Sequence, residues 1–291
     1  MRQYFHYCSK GFRHEILFAD TEEFIAGMNR VALCVLLSIL KGHEVYVISF
    51  CLMDNHVHFI LCGTREACDA FAADYKRLTG IYVQHRRGTG LHEDMQFDGY
   101  SISGKESMKE KIAYVLRNPV AAHMKTTVPG YRWGTGNLAF SDNSSLLVTA
   151  RTGGDIGVKE GWRLFHSKLR IPEDWLVLQD GMIWTGSYVR TEIAERMFEG
   201  PGEYMFMLND RKIDGKVNEE MLGDKFSLPD KEVRAMAKEL AGKLFGKEFV
   251  SHCTAKERLD LARRLHREVK CGSKQLARVI RLDPDLLAEL V

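Results

Sequence analysis

The chain has 291 residues, 45% hydrophobic and 27% charged, an ordinary globular composition with length enough for two domains. A net charge of +2 excludes a globally basic nucleic-acid binder, so any surface of that kind has to be local. Seven cysteines, odd in number and without a CxxC pair, exclude a disulfide framework and a zinc ribbon, and suit buried thiols in a reducing cytoplasm.

In chain order, residues 4–9 alternate as a first strand, and residues 15–18 are expected to continue the sheet. Asp20 or Thr21 caps a helix whose first turn holds Glu22 and Glu23 and which ends at Gly42. Within it, residues 31–40 are the longest apolar run, too short to span a membrane and broken by Ser38. With no signal-like start, the expectation is a cytoplasmic protein that contacts no membrane. Residues 44–52 (EVYVISFCL) are β-branched and aromatic; they turn at Met53-Asp54-Asn55 into a second strand carrying His56-Val57-His58. Thr64 caps a second long helix bearing Phe71, Tyr75 and Leu78, which Gly80 is expected to interrupt before Tyr82 and the cluster His85-Arg86-Arg87. Residues 95–102 form a fourth strand, and the stretch before Pro119 is a helix with an apolar stripe of Ile112, Val115 and Leu116. This βαββαβ order with an added helix is α+β and ferredoxin-like, an antiparallel sheet with helices on one face.

Beyond Trp133 the composition shifts. Residues 1–135 read as one domain, residues 136–157 as a linker or long loop, and residues 158–291 as a mainly helical accessory region in which 255–291 has helix-turn-helix-like spacing. The final helix, 284–291, has no Lys or Arg, so a DNA contact there falls to Lys270, Lys274, Arg278 and Arg281; packing of a small helical bundle accounts for the pattern equally well. A chain ending within residues 134–157 is accordingly expected to keep the chemistry of the first domain.

His56 and His58, at i and i+2 on a strand, share a face with backbones about 7 Å apart and can lean onto one ion. Alone, that spacing is more often two ordinary histidines in a half-buried strand. Tyr114 and Asn118, at i and i+4, share a helix face. A phenol and a carboxamide near two strand histidines make a workable site: imidazoles and an amide oxygen to hold a divalent cation, and a tyrosine to supply a nucleophilic oxygen. Tyr75, Tyr82 and Tyr100 are rival nucleophiles. Tyr82, beside Arg86 and Arg87, suits base stacking with phosphate contact. The basic run Lys105, Lys109, Lys111 and Arg117 either tracks a DNA backbone or is a solvated helix face.

FHYCSKG near the start, CLMDNHVHFIL in the middle and YVLRNPVAAHM further on, in that order, resemble the HUH single-tyrosine transposases of insertion sequences, and most closely the REP-associated tyrosine transposases, over roughly residues 4–133. The resemblance implies Tyr114 as the catalytic nucleophile and His56, His58 and Asn118 as ligands of Mg²⁺ or Mn²⁺. It implies single-stranded or hairpin DNA as the partner, cleaved and rejoined through a 5′-phosphotyrosine link, and it supports the ferredoxin-like topology. This chain has Asp54 where the family has proline, and Ala121-Ala122-His123 where the family has Arg-Ala-Gly. The second departure bears on a DNA contact and leaves the four chemical residues in place. A monomer is expected in solution, with a homodimer as the alternative. Two other readings stand beside this one: a domesticated DNA-binding protein of the same fold, and a metal-dependent hydrolase using His-x-His and a water. A covalent protein–DNA adduct separates them from a transesterase.

Overall fold

The computed structural model describes residues 2–10, 16–88, 96–122, 124–210, 213, 230–269, 271, 273–283 and 287. The chain divides into two compact units, residues 1–120 with 125–214, and residues 121–124 with 215–291.

In the first unit, β1 (Gln3–Lys10), β2 (Tyr46–Leu52), β3 (Val57–Gly63) and β4 (Gln96–Ile102) form one antiparallel sheet in the order β2-β3-β1-β4. Helix α1 (Thr21–Leu40) follows β1 and α2 (Arg65–Arg87) follows β3, so the expected βαββαβ order and the ferredoxin-like α+β architecture are both present. Strand alternation divides the sheet between two faces. Phe5, Tyr7, Val57, Phe59 and Leu61 join Met28, Val31, Phe71 and Tyr75 of the two helices in one core. His6, Cys8, His58 and Ile60 therefore point to the opposite face, where α3 (Lys105–Ala121) lies with Tyr114 against His6 and His58.

Local chemistry explains the helix limits. Asp20 Oδ1 accepts from the Glu23 amide at 2.9 Å, and Glu22 and Glu23 complement the first turn of α1. By length and composition α1 is apolar enough to cross a membrane, but 78% of that window is buried inside the protein. Its buried Asn29 is satisfied at both ends, donating to Gly181 O at 3.0 Å and accepting from Ile183 N at 2.8 Å. Gly80 does not interrupt α2. A mid-helix glycine costs about 1 kcal/mol against alanine, and the buried stripe of Phe71, Tyr75, Thr79, Tyr82 and Val83 runs straight past it. Residues 16–18 do not extend the sheet; Leu17 N and Phe18 N instead donate to Asp54 O at 2.6 and 3.0 Å, tying this segment to the β2–β3 turn. Residue 15 of that expected strand lies outside the described residues.

The expected domain boundary near residue 135 is not where the chain divides. Thr135 N donates to Phe50 O at 3.1 Å and Arg190 N to Val47 O at 2.9 Å, so the following segment is stitched along β2. Ile156, Phe165, Ile171, Trp175, Val177, Met182, Ile183, Tyr188 and Val189 are buried in the same core as the sheet and α1. Even the stretch read as a linker takes part: a Cβ on Gly153 would sit 2.0 Å from Pro172 O, so only glycine permits that approach.

The second unit packs helix Asp230–Phe245 with helix Ala255–Glu268 and with Ser273–Leu276, which continues as a π-helical turn, Ala277–Arg281. Val233, Ala237, Leu240, Leu261, Leu265, Leu276 and Ile280 form its core. Thr254 and Glu257 close a capping box at the start of the second helix. The expected terminal helix, 284–291, lies outside the described residues save Leu287, and so does Lys270. All seven cysteines are free and buried, as expected of small apolar side chains.

Candidate active site

The two histidines of the His-x-His stretch converge from different local structures. β3 begins at Val57, so His56 belongs to the turn, half-buried, with Nδ1 2.7 Å from Asn55 Oδ1. His58 lies within the strand and is 2% exposed. Their rings are 4.8 Å apart and nearly perpendicular, while Val57 between them is buried in the helix-side core.

Helix α3 brings the other two residues. Pro119 has no N–H, so the carbonyl four residues before it, Val115 O, lacks its usual helical donor. Asn118 Nδ2 takes that place, donating to Val115 O at 3.3 Å and to Tyr114 O at 2.9 Å. Only the amide nitrogen can donate, so these bonds fix the carboxamide with its oxygen pointing away from the helix. That oxygen is buried without a hydrogen-bond partner, and the side chain faces His58, favouring its protonated form. The Asn-Pro pair thus keeps the helix going to Ala121 and presents one unsatisfied acceptor. Tyr114, one turn earlier, is 4% exposed; its ring meets His6 and His58 edge-on, each at 5.6 Å, and the Lys111 ammonium lies 4.4 Å over it.

His6 is the residue that sequence reasoning missed. The β1–β3 register sets Cys8 opposite His58 and His6 opposite Ile60, and His6 Nε2 lies 3.0 Å from His58 Nδ1. Cys8 Sγ lies 3.9 Å from His58 Nε2. His6 is fully buried and its Nδ1 has no partner. The available signal was the alternation of FHYCS, which puts His6 and Cys8 on one face, but pairing it with His58 required the strand order.

Burial pushes His6 down to about 3, with Lys111 adding to the effect. Burial, and then His56, His6 and Lys111, hold His58 well below 6.5. Both imidazoles are therefore neutral at pH 7, each with a lone pair to give. Among the described residues no three His, Cys, Asp or Glu side chains are grouped to hold a metal ion. The set that fits is the imidazoles of His56 and His58 with the orphaned Asn118 oxygen, a donor set without a carboxylate that suits Mg²⁺ or Mn²⁺ once substrate oxygens complete it.

The buried pair carries a stability cost in acid. Both folded pKa values lie below the unfolded value of about 6.5, so below that pH the unfolded chain binds protons the folded chain refuses, and stability falls. In EDTA, the urea midpoint should decline from pH 7 toward pH 4, by up to about 1.4 kcal/mol per pH unit for each histidine. His6→Gln should make the decline shallower. Equal slopes for the two proteins would contradict a buried neutral His6.

The residues expected to bind DNA are mostly engaged elsewhere. Tyr82 is 6% exposed, under the Arg30 guanidinium at 4.4 Å and against His166 at 5.0 Å, so it offers no face to a base. Arg86 pairs with Asp20 and Glu22, each at 2.9 Å, and Arg87 with Glu23 at 2.8 Å and the Ile16 carbonyl at 2.7 Å. Lys109 is buried between Glu106 and Glu203, and Arg117 is buried and donates to Leu208 O. Of that group, Lys105 remains exposed. These cations and the tyrosine hold the first unit together, which a run of charges in sequence does not reveal.

No family model matches the chain, and no curated protein matches it. A solved structure of a REP-associated tyrosine transposase bound to a REP hairpin is similar to it at 13% identity, over 46% of this chain and 75% of that one, with a TM-score of 0.35.

Proposed function

We propose that the first unit is a single-stranded DNA transesterase, transposase-like, in which Tyr114 is the nucleophile. The observation that carries this reading is the convergence, on one sheet face, of Tyr114 and an unsatisfied Asn118 amide oxygen from α3 with the neutral His6 of β1 and His58 of β3. Tyr114 Oη attacks a backbone phosphorus, the P–O3′ bond breaks, and the phenolic proton is balanced by the proton gained at the 3′ oxygen. The product is a 5′-phosphotyrosine and a free 3′-OH. That hydroxyl, or one from another strand, then attacks the link and restores a phosphodiester, so no nucleotide energy source is needed. Hairpin-flanked DNA is the substrate this reading assigns.

His56, His58 and Asn118 would hold Mg²⁺ or Mn²⁺, and the ion, when bound, supplies Lewis-acid polarisation of a non-bridging phosphate oxygen. His6 is a positioning residue. If His58 gives Nε2 to a cation, its Nδ1 carries the proton and donates to His6 Nε2, which sets the tautomer and the ring plane. Lys111, over the Tyr114 ring, attracts the phosphate. Because the phenol is closed from solvent, a strand reaches it only after Tyr114 turns outward.

The test uses a labelled single-stranded hairpin substrate. His56→Ala, or EDTA with the unaltered protein, should lower cleavage by at least about 10²-fold, while DNA binding, which rests on phosphate and base contacts, changes little. Undiminished cleavage in EDTA would contradict the proposal.

A further inference from the structure

The second unit holds a groove that the reaction above does not use. It has a volume of about 300 Å³ and is lined by Arg234, Lys238, Phe249, Val250, Ser251, Arg278, Val279 and Arg281. Among the described residues, no carboxylate lines it. Its apolar part is the two valines and the Phe249 ring, which is 42% exposed, a large ring to leave in water. Four cations line the same groove, and the Lys238 ammonium lies over the ring, 4.7 Å from its centroid.

Of the four cations, three have no carboxylate at ion-pair distance among the described residues and one, Arg278, is paired. Arg234 and Lys238, at i and i+4, share an exposed face of helix Asp230–Phe245, and no carboxylate among the described residues forms an ion pair with either or with Arg281. Arg278 is paired with Asp230, with nitrogen–oxygen distances of 3.1 and 3.2 Å, so its charge is engaged as those of Arg86 and Arg87 are. Arg278 and Arg281 both sit on the π-helical turn, a local structure over-represented at functional sites. The charge is also local. Fourteen Lys and Arg less ten Asp and Glu give residues 230–291 a net +4, whereas the whole chain carries +2.

We infer that this groove is a binding site for a single-stranded DNA segment, with one base stacked on Phe249 and the flanking phosphates on Arg234, Lys238 and Arg281. An aromatic platform inside a cationic rim is the arrangement that single strands recognise, because every base has a stacking face and every nucleotide a phosphate. A duplex hides its base faces and gains nothing from Phe249. The choice of DNA over RNA rests on the transesterase reading; the groove itself does not.

The experiment uses the full chain and fluorescence anisotropy with a labelled oligothymidine strand and a duplex of equal length, across a salt series. Arg234→Gln with Lys238→Gln should weaken single-strand binding and reduce the slope of log K against log salt by about 1.4, two phosphate contacts at about 0.7 each. Phe249→Ala should weaken it about 10-fold with the slope unchanged. Both variants alter exposed side chains and should melt as the unaltered protein does. Unchanged affinity and slope in both would overturn the site, and so would equal weakening of duplex binding by Phe249→Ala. Adduct formation is measured in parallel. If the unaltered chain forms no adduct but the groove variants lose oligothymidine, the transesterase reading fails and the groove stands; the reverse pattern removes the groove alone.

Discussion

Tyr114→Phe is expected to abolish the covalent protein–DNA adduct, with cleavage falling by on the order of 10³ or more, as removal of a nucleophile does. The change deletes one oxygen. The ring that packs edge-on against His6 and His58, under the Lys111 ammonium, is retained, so the loss of stability should be about 1 kcal/mol, one buried hydroxyl. The comparison that matters is Tyr100→Phe. Tyr75 and Tyr82 are buried on the side of the sheet that faces α1 and α2 or beneath Arg30, but Tyr100 is 47% exposed on β4, with its ring 6.5 Å from His6. It is the rival nucleophile that the geometry leaves. Denaturing gels with a labelled hairpin strand should show the adduct in the Tyr100 variant and none in the Tyr114 variant. The opposite pattern would move the chemistry to the β4 edge.

How much of this was readable from the sequence depended on the range of the interaction. The hairpin, α1 and the Tyr114–Asn118 face follow from neighbours within a few residues, through alternation, caps and the i, i+4 rule, and those elements stand as expected. Asn118 illustrates the same point: its backbone bonds reach Tyr114 and Val115, four and three residues away. His6 was invisible because its partner is 52 residues distant and adjacency depends on strand order. The basic cluster misled for the same reason. Arg87 meets Glu23 64 residues away and Arg117 meets Leu208 91 residues away, and a cation destined for such a pair looks, in sequence, like one destined for phosphate. The groove residues Arg234 and Phe249 attracted no attention for the converse reason, that nothing near them in sequence marks a surface.

A chain ending at residue 150 is expected not to fold, against the reading of residues 1–135 as self-sufficient. It would lack nine buried apolar side chains, from Ile156 to Val189, that belong to the same core as the sheet. What counts is the surface this leaves bare on the part that remains. Tyr188 stacks at 6.4 Å from Phe50 of β2, Trp175 and Tyr188 line a cavity with Val35 of α1, and Arg190 N caps Val47 O. Each large side chain so uncovered forfeits about 1.5–3 kcal/mol, while the shortened chain still bears the whole entropy cost of ordering its own residues. Several such losses together match the 5–15 kcal/mol that holds a typical domain. Asn29 also loses both partners, Gly181 O and Ile183 N, and the apolar α1 is left with an open flank. The shortened protein should bind a hydrophobic dye, show no cooperative thermal transition and form no adduct. A chain ending at residue 214 keeps the whole first unit and should melt cooperatively and still form the adduct. A cooperative melt from the chain ending at 150 would show that the segment after Trp133 is an appendage, and would return the domain boundary to its neighbourhood.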